Sequence, residues 1–343
     1  MSIQTYASPA PGRLGRMAGQ IIAHAISTEV LSGACQPLEM PKNKSDTMVV
    51  RSFVPYGGTV AAPNTWTVTA ESHITSEGVT PEADTIVPRD VTFNLVQYMA
   101  LYSLTDKDFD LHEDDISMAM KEQTGERMGL VREMAIYSKL KAATNKFYAG
   151  GTSRATVDET VTDGIISAVV RSLNANHAKF ITKVMSPANL YGSTSVDASY
   201  ICYVHSDMEY DLEHLPNYRS VANYGSLQLI SDYELGAVGK VRFVLSAELY
   251  PYLDAGATAA GTGLRTSGTK VDVYSMLFLS KDAAAQVKLR GAQALDPIYL
   301  PPGMKDKNDP GGQRGYIGAK FWHAVDILNP GWIVVVEAGI TDL

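Results

Sequence analysis

The chain has 343 residues, of which 45% are hydrophobic and 19% charged. That apolar share supports a packed core and excludes a disordered chain, while the charged share falls below the usual quarter, as on a surface that other chains cover. With 29 Lys plus Arg against 37 Asp plus Glu the net charge is −8, so avid binding to nucleic-acid phosphates is not expected.

The two cysteines, Cys35 and Cys202, form no CxxC. They read as a reducing, cytoplasmic setting rather than a disulfide framework. The first twenty residues lack the apolar core of a signal peptide. No apolar run reaches the ~18 residues of a membrane helix.

Residues 1–46 are mixed. Pro9, Pro11, Gly12 and Gly15 predict an extended start. Ile21, Ile22, Ala25, Ile26 and Val30 fall near helical spacing, which predicts a helix over 17–31. PKNKSD, residues 41–46, reads as a polar linker. The segment has little apolar mass and resembles an arm that packs on something else.

From 47 the pattern turns β-like. TMVVRSFV and NTWTVTA, residues 47–54 and 64–70, read as strands around the turn PYGG. The polar stretch 72–90 is long for a loop inside a compact domain, and residues 91–105 return to strand. Residues 47–105 are therefore predicted as one twisted ribbon of two or three strands. A lone hairpin is marginal in water, so it needs a neighbouring surface.

Residues 114–148 contain no proline and only two glycines, Gly125 and Gly129. Ile116, Met120, Thr124, Met128, Val131, Ala135 and Ala142 fall roughly on one stripe. Acidic residues crowd the start, and Lys139, Lys141 and Lys146 crowd the end, as the helix dipole favours. A spine helix about 50 Å long is predicted, stopped by Gly150 and Gly151.

Residues 151–343 mix helices and strands. Residues 163–174 and 206–214 read as helices, the second capped by Ser206 with Glu209 three residues on. YICYVH, KVRFVLS and VDVYSMLFLS read as strands, with Gly/Ala/Thr-rich 256–268 as an exposed loop. A long polar loop at 300–315 precedes the closing strands 317–328 and 331–339, joined by a turn at Asn329, Pro330 and Gly331.

Chemistry is sparse. Asp106, Asp108 and Asp110 alternate as in a calcium loop. Leu111 stands where that loop needs glycine, and Ser117 where it needs a bidentate glutamate, so an acidic helix approach is the simpler reading. His205, Asp207 and His214 fit no metal spacing. Lys305, Lys307 and Arg314 beside glycines could cradle a phosphate, but Asp306 and Asp309 dilute the field. GxSxG, Walker A and HExxH are absent from the sequence. No catalytic, cofactor-binding or metal residue is assigned.

An arm, a ribbon, a spine and a mixed domain without catalytic motifs suggest a shell protein. The segments APGRLGRMAGQIIAHA, EMPKNKSDTMVVRSFVPYG, YSLTDKDFDLHEDD, MKEQTGERMGLVREM, ATNKFYAGGTSRATVD, PGMKDKNDPGGQRGYIGAKF and NPGWIVVVEAG closely resemble the major capsid proteins of tailed bacteriophages. The resemblance is to the HK97-like fold family, short-tailed phage type, and spans nearly the whole chain.

The resemblance implies an α+β fold: an N-terminal arm (1–46), an extended β loop (47–105), a peripheral domain with the spine helix (106–150), an axial domain (151–320) and closing peripheral strands (321–343). It implies a structural, non-enzymatic subunit of the virion, assembled in the host bacterial cytoplasm. Hexamers and pentamers would form an icosahedral head around double-stranded DNA held only as cargo. Its partners would be copies of itself, a separate scaffolding protein, a portal and decoration proteins, with no membrane and no cofactor. A minor head or decoration protein, or an α/β enzyme of unrecognised class, are the alternatives. Phe53, Tyr56 and Trp66 are the ribbon's large groups and are expected at inter-subunit contacts, with packing inside the subunit as the alternative for Trp66. Gly125 and Gly129 are candidate bend points of the spine, or places where another chain approaches it closely.

Overall fold

A computed structural model describes residues 29–61, 63–66, 68–78, 80, 83–111, 116–185, 193–224, 228–290, 296–305, 307 and 309–343. Strands β1 (Gln36–Met40), β2 (Thr47–Phe53), β3 (Pro88–Asn94) and β4 (Val96–Thr105) lead to helices α1 (Asp106–Leu111) and α2 (Ile116–Leu140). Next come β5 (Lys146–Tyr148), α3 (Asp163–Ala175), β6 (Ile181–Met185), β7 (Ser193–His205), α4 (Glu209–Glu213), β8 (Tyr218–Ser220), β9 (Glu234–Val238) and β10 (Val241–Ser246). The chain closes with β11 (Tyr274–Leu279), β12 (Ala284–Leu289), β13 (Asp296–Leu300), β14 (Arg314–Ile327) and β15 (Ile333–Ala338).

Eight strands form a mixed sheet in the order β5-β15-β11-β7-β10-β9-β8, with β6 paired to β7. Its central strands are buried on both faces, so they read as unbroken apolar runs rather than alternating ones. Tyr274, Met276 and Phe278 of β11 join Val334 and Val336 of β15 against α3 and α4. The alternate residues Leu277, Leu279, Ile333 and Val335 face the other way, against Ile136, Tyr137 and Leu140 of α2.

The second sheet runs β1-β12-β14-β13, with β4 also on β14. It carries the N-terminal half of α2: Met128 packs on Ala100, Ala319 and Phe321, and Met120 on Leu104 and Ile317. The third sheet is the ribbon, β2 on β3 over seven residue pairs from Thr47↔Asn94 to Phe53↔Pro88.

Several expectations are corrected. The spine ends at Leu140, about 37 Å long, because Lys146–Tyr148 is used as an edge strand parallel to β15. Its buried stripe turns after Met128 to Glu133, Ile136, Tyr137 and Leu140, as the helix passes from one sheet to the other. NTWTVTA is not a strand in its described residues; the ribbon's second strand is Pro88–Asn94. Residues 96–105 leave the ribbon and pair with β14 over ten residues. After β4, Thr105 Oγ1 accepts from the Asp108 N–H and donates to Asp108 Oδ2, starting α1. The turn at 206 is capped by His205, whose Nδ1 accepts from the Asp207 N–H at 3.0 Å, and not by Ser206. The arm's end is a body strand, since β1 runs parallel to β12. The helix expected over 17–31 lies almost wholly outside the described residues, and Leu31–Gly33 is a 3-10 turn.

Sheet membership also cuts across the expected segment boundaries. Strands β12, β13 and β14 join the sheet under the spine, and β15 joins the eight-stranded sheet.

Candidate assembly surface

The ribbon is fixed at its root, and much of the segment beyond it is exposed. Phe93 is buried among Met40, Ala285, Val287 and Ala324. Arg89 donates to the Leu328 carbonyl at 2.6 Å. Arg51 and Asp90 form a two-pronged ion pair at 2.7 and 2.8 Å; it is solvent-exposed and fixes cross-strand register more than it stabilises.

Past the root, large apolar side chains face solvent. Phe53 is 66% exposed, Ile74 76% and Ile86 75%, with Val60, Val68 and Tyr56 near half. Apolar surface concentrated on one projecting element marks an interaction site. The sheet beside the ribbon has a second bare face: Met99, Leu101, Leu300 and Trp322 are exposed on the side away from α2.

Trp66 is half-exposed but not free. Its ring lies on that of His177, centroids 3.9 Å apart and tilted by 36°. Next to it, Asn64 exchanges two amide hydrogen bonds with Asn329. These groups flank a crevice of about 300 Å³ lined by Asn64, Asn145, Ser172 and Asn176. The crevice offers neutral amides and hydroxyls and no charge that could act as an acid or base.

Of the other candidates, Asp106, Asp108 and Asp110 do not converge: they lie on α1, where Asp108 turns back to Thr105 and Asp110 is exposed. Among the described residues no three His, Cys, Asp or Glu side chains gather as metal ligands. Asp207 binds Arg265 at 2.5 Å and the Tyr274 hydroxyl at 3.0 Å, while the His214 ring bonds its own helix at the Tyr210 carbonyl. In the 300–315 loop Asp309 accepts from the Arg314 N–H at 2.8 Å; Asp306 and Asn308 lie outside the described residues. Both cysteines are buried, and burial pushes the Cys35 thiol up to about 12, so neither is a nucleophile at neutral pH.

Gly125 has open space where a Cβ would sit. At Gly129 a Cβ would overlap the carboxylate of Glu29. The close approach is made by this chain's own N-terminal segment. Sequence reasoning missed the Asn64–Asn329 and Trp66–His177 contacts and the buried Glu133, because each depends on pairing across a hundred residues or more.

No family model matches the chain. The major capsid protein of Pseudomonas phage KPP21 is 21% identical over 206 residues, covering 55% of this chain and 52% of that protein. The chain thus spans about half the length of the curated relative it matches. Among solved structures, the capsid of Ralstonia phage GP4 superposes with a TM-score of 0.66 at 12% identity, covering 99% of both chains. The head of Helicobacter pylori bacteriophage KHP40 gives 0.61 at 11% identity, over 99% of this chain and 98% of that one. The capsid of cyanophage P-SCSP1u gives 0.58 at 12% identity, over 96% and 94%. The fold is that of phage capsid subunits, the HK97-like α+β fold.

Proposed function

We propose that the chain is a structural major capsid protein that assembles with its own copies into the hexamers and pentamers of an icosahedral head enclosing double-stranded DNA. The observation that carries this reading is the agreement with the phage GP4 capsid over 99% of both chains. The curated relative of the same kind and the projecting ribbon with its bare apolar groups support it. In this reading β2, β3 and residues 54–87 reach a neighbouring subunit, with Phe53 and Tyr56 as contact groups. The sheet carrying α2 is the peripheral unit and the eight-stranded sheet the axial one. A scaffolding protein, portal and decoration proteins are its partners, and assembly takes place in the host bacterial cytoplasm.

The test is expression with the neighbouring head genes, followed by electron microscopy and a count of copies per particle. Closed shells in which this chain is the most abundant protein are expected. Particles that form without it, or that carry it in only a few copies, overturn the reading.

A further inference from the structure

We infer that residues 29–32 form a latch tying the N-terminal segment to the spine helix, and that the latch opens as Glu133 loses its proton. This goes beyond the shell reading and is tested on the free subunit, so it stands or falls separately.

The geometry comes first. Glu133 sits on α2 but is only 1% exposed, an unusual place for a carboxylate. Its Oε1 accepts from the Val30 and Leu31 N–H groups at 3.0 and 2.9 Å, and Oε2 from Leu31 at 3.2 Å. One residue earlier, Arg132 pairs with Glu29. One turn earlier, Gly129 leaves the space that the Glu29 side chain occupies. From the sheet side, Gln286 donates to the Ser32 carbonyl at 2.8 Å, and His323 meets Gln286 at 3.3 Å. Leu31 is wholly buried among Ile136, Leu140 and Ala284. Four consecutive residues are thus held by side chains of α2 and the sheet strands β12 and β14, with no strand pairing of their own.

The electrostatics set the direction of release. Burial pushes the Glu133 carboxyl up from 4.5 to about 7, against the opposing pull of the two N–H groups. Glu29 raises it further and Arg132 lowers it. From the elements packed around it, Cys35 and Tyr203 are both pushed up by burial and stay neutral. Burial and the charges of Arg132 and Lys288 push His323 down to about 4, so it too is neutral. Lys288 is lowered by burial and by Arg132. Glu133 is therefore the group here that changes charge between mildly acidic and mildly alkaline pH.

The sign follows from linkage. A carboxyl raised in the latched state favours that state when protonated. The advantage is full below about 4.5 and fades as pH rises through about 7. The latch thus loosens on the alkaline side, by on the order of 100-fold if release returns the carboxyl to water.

The experiment is hydrogen exchange at the Val30 and Leu31 amides of the full chain, corrected for intrinsic rates, between about pH 5.5 and about pH 8. Protection should fall about 30-fold over that window in the wild type and stay flat in Glu133→Gln. Glu29→Gln should lower protection at every pH and, by removing the charge that raises Glu133, make the fall shallower without abolishing it. Equal slopes in wild type and Glu133→Gln, or protection that rises with pH, overturn the inference. Carbon-13 titration of the wild-type Glu133 carboxyl reads the same claim without a variant. A midpoint near 7 is expected, and one near 4.5 overturns it.

Discussion

Asn64 and Asn329 exchange two amide hydrogen bonds, 2.9 and 2.8 Å long, across 265 residues of chain. Asn329 Oδ1 also accepts from the Gly331 N–H and so caps the last turn before β15. The pair joins the loop beyond the ribbon to the point where the chain passes from one sheet to the other. Asn64→Ala should cost about 1 kcal/mol, since its partner can still reach water in the crevice. It should also make residues 63–66 more open to proteolysis while the global melting temperature shifts by a few degrees at most. Unchanged proteolysis at that loop would show that the amide pair does not hold it.

Trp66 has one face on His177 and half of its surface in solvent. Removing it takes little from the subunit's own core and more from a surface offered to a neighbour, because aromatic groups supply much of an interface's buried area. Trp66→Ala is expected to reduce particle yield while the free subunit melts within a few degrees of wild type. A subunit that unfolds in step with the lost assembly would place Trp66 in the intramolecular fold alone.

The two spine glycines separate cleanly. At Gly125 an added methyl group meets open space, so Gly125→Ala should raise stability by about 0.5–1 kcal/mol through helix propensity and unfolded-state entropy. At Gly129 the same change pushes Glu29 aside and should loosen residues 29–32 despite the gain in propensity. If bending at this turn drives shell expansion, Gly125→Ala should leave assembly intact and impair expansion. Normal expansion in that variant removes Gly125 from the mechanism.

Four strands of the eight-stranded sheet, β7, β10, β11 and β15, were legible because burial on both faces leaves runs such as MLFL and IVVV that no other element explains. The spine was legible because it contains no proline, but its end was not: KFY has β character only once β15 lies beside it. NTWTVTA has the composition of a strand, but none of its described residues lies in one, whereas β3 begins with Pro88 and the charged Arg89 and Asp90 and is a strand because β2 pairs with it. Glu133 was hidden for the same reason. On sequence it is an ordinary helix-forming glutamate, and only its hydrogen bonds to residues 102 and 103 positions away make it buried. Apolar patterning reveals the core, while contacts that need a distant partner leave no local trace.

The net charge of −8 leads to a further expectation. The free subunit should not bind duplex DNA tightly near physiological salt, because too few uncompensated cations are present to release counterions. A mobility-shift titration should show no complex at nanomolar protein, and a nanomolar complex would contradict this.

Glu337 provides a test by acid. The side chain, on β15, is fully buried. Arg154 grips both of its oxygens at 2.7 Å, and Lys146 reaches one at 3.2 Å. Burial pushes the carboxyl up, but the Arg154 hydrogen bonds and the charges of Arg154 and Lys146 outweigh it and hold it below its ordinary value. A depressed carboxyl stabilises the fold above its unfolded value near 4.5 and loses that contribution as pH falls below it. Glu337→Gln leaves Arg154 and Lys146 without a counter-charge. The cost at neutral pH should be about 2–3 kcal/mol, under the 3–5 of a fully buried pair because both cations are partly exposed. Denaturant melts of wild type and variant should therefore differ at about pH 7 and draw together as pH falls below about 4.5 and through the depressed folded value. A constant gap across that range would mean that the variant loses packing rather than charge.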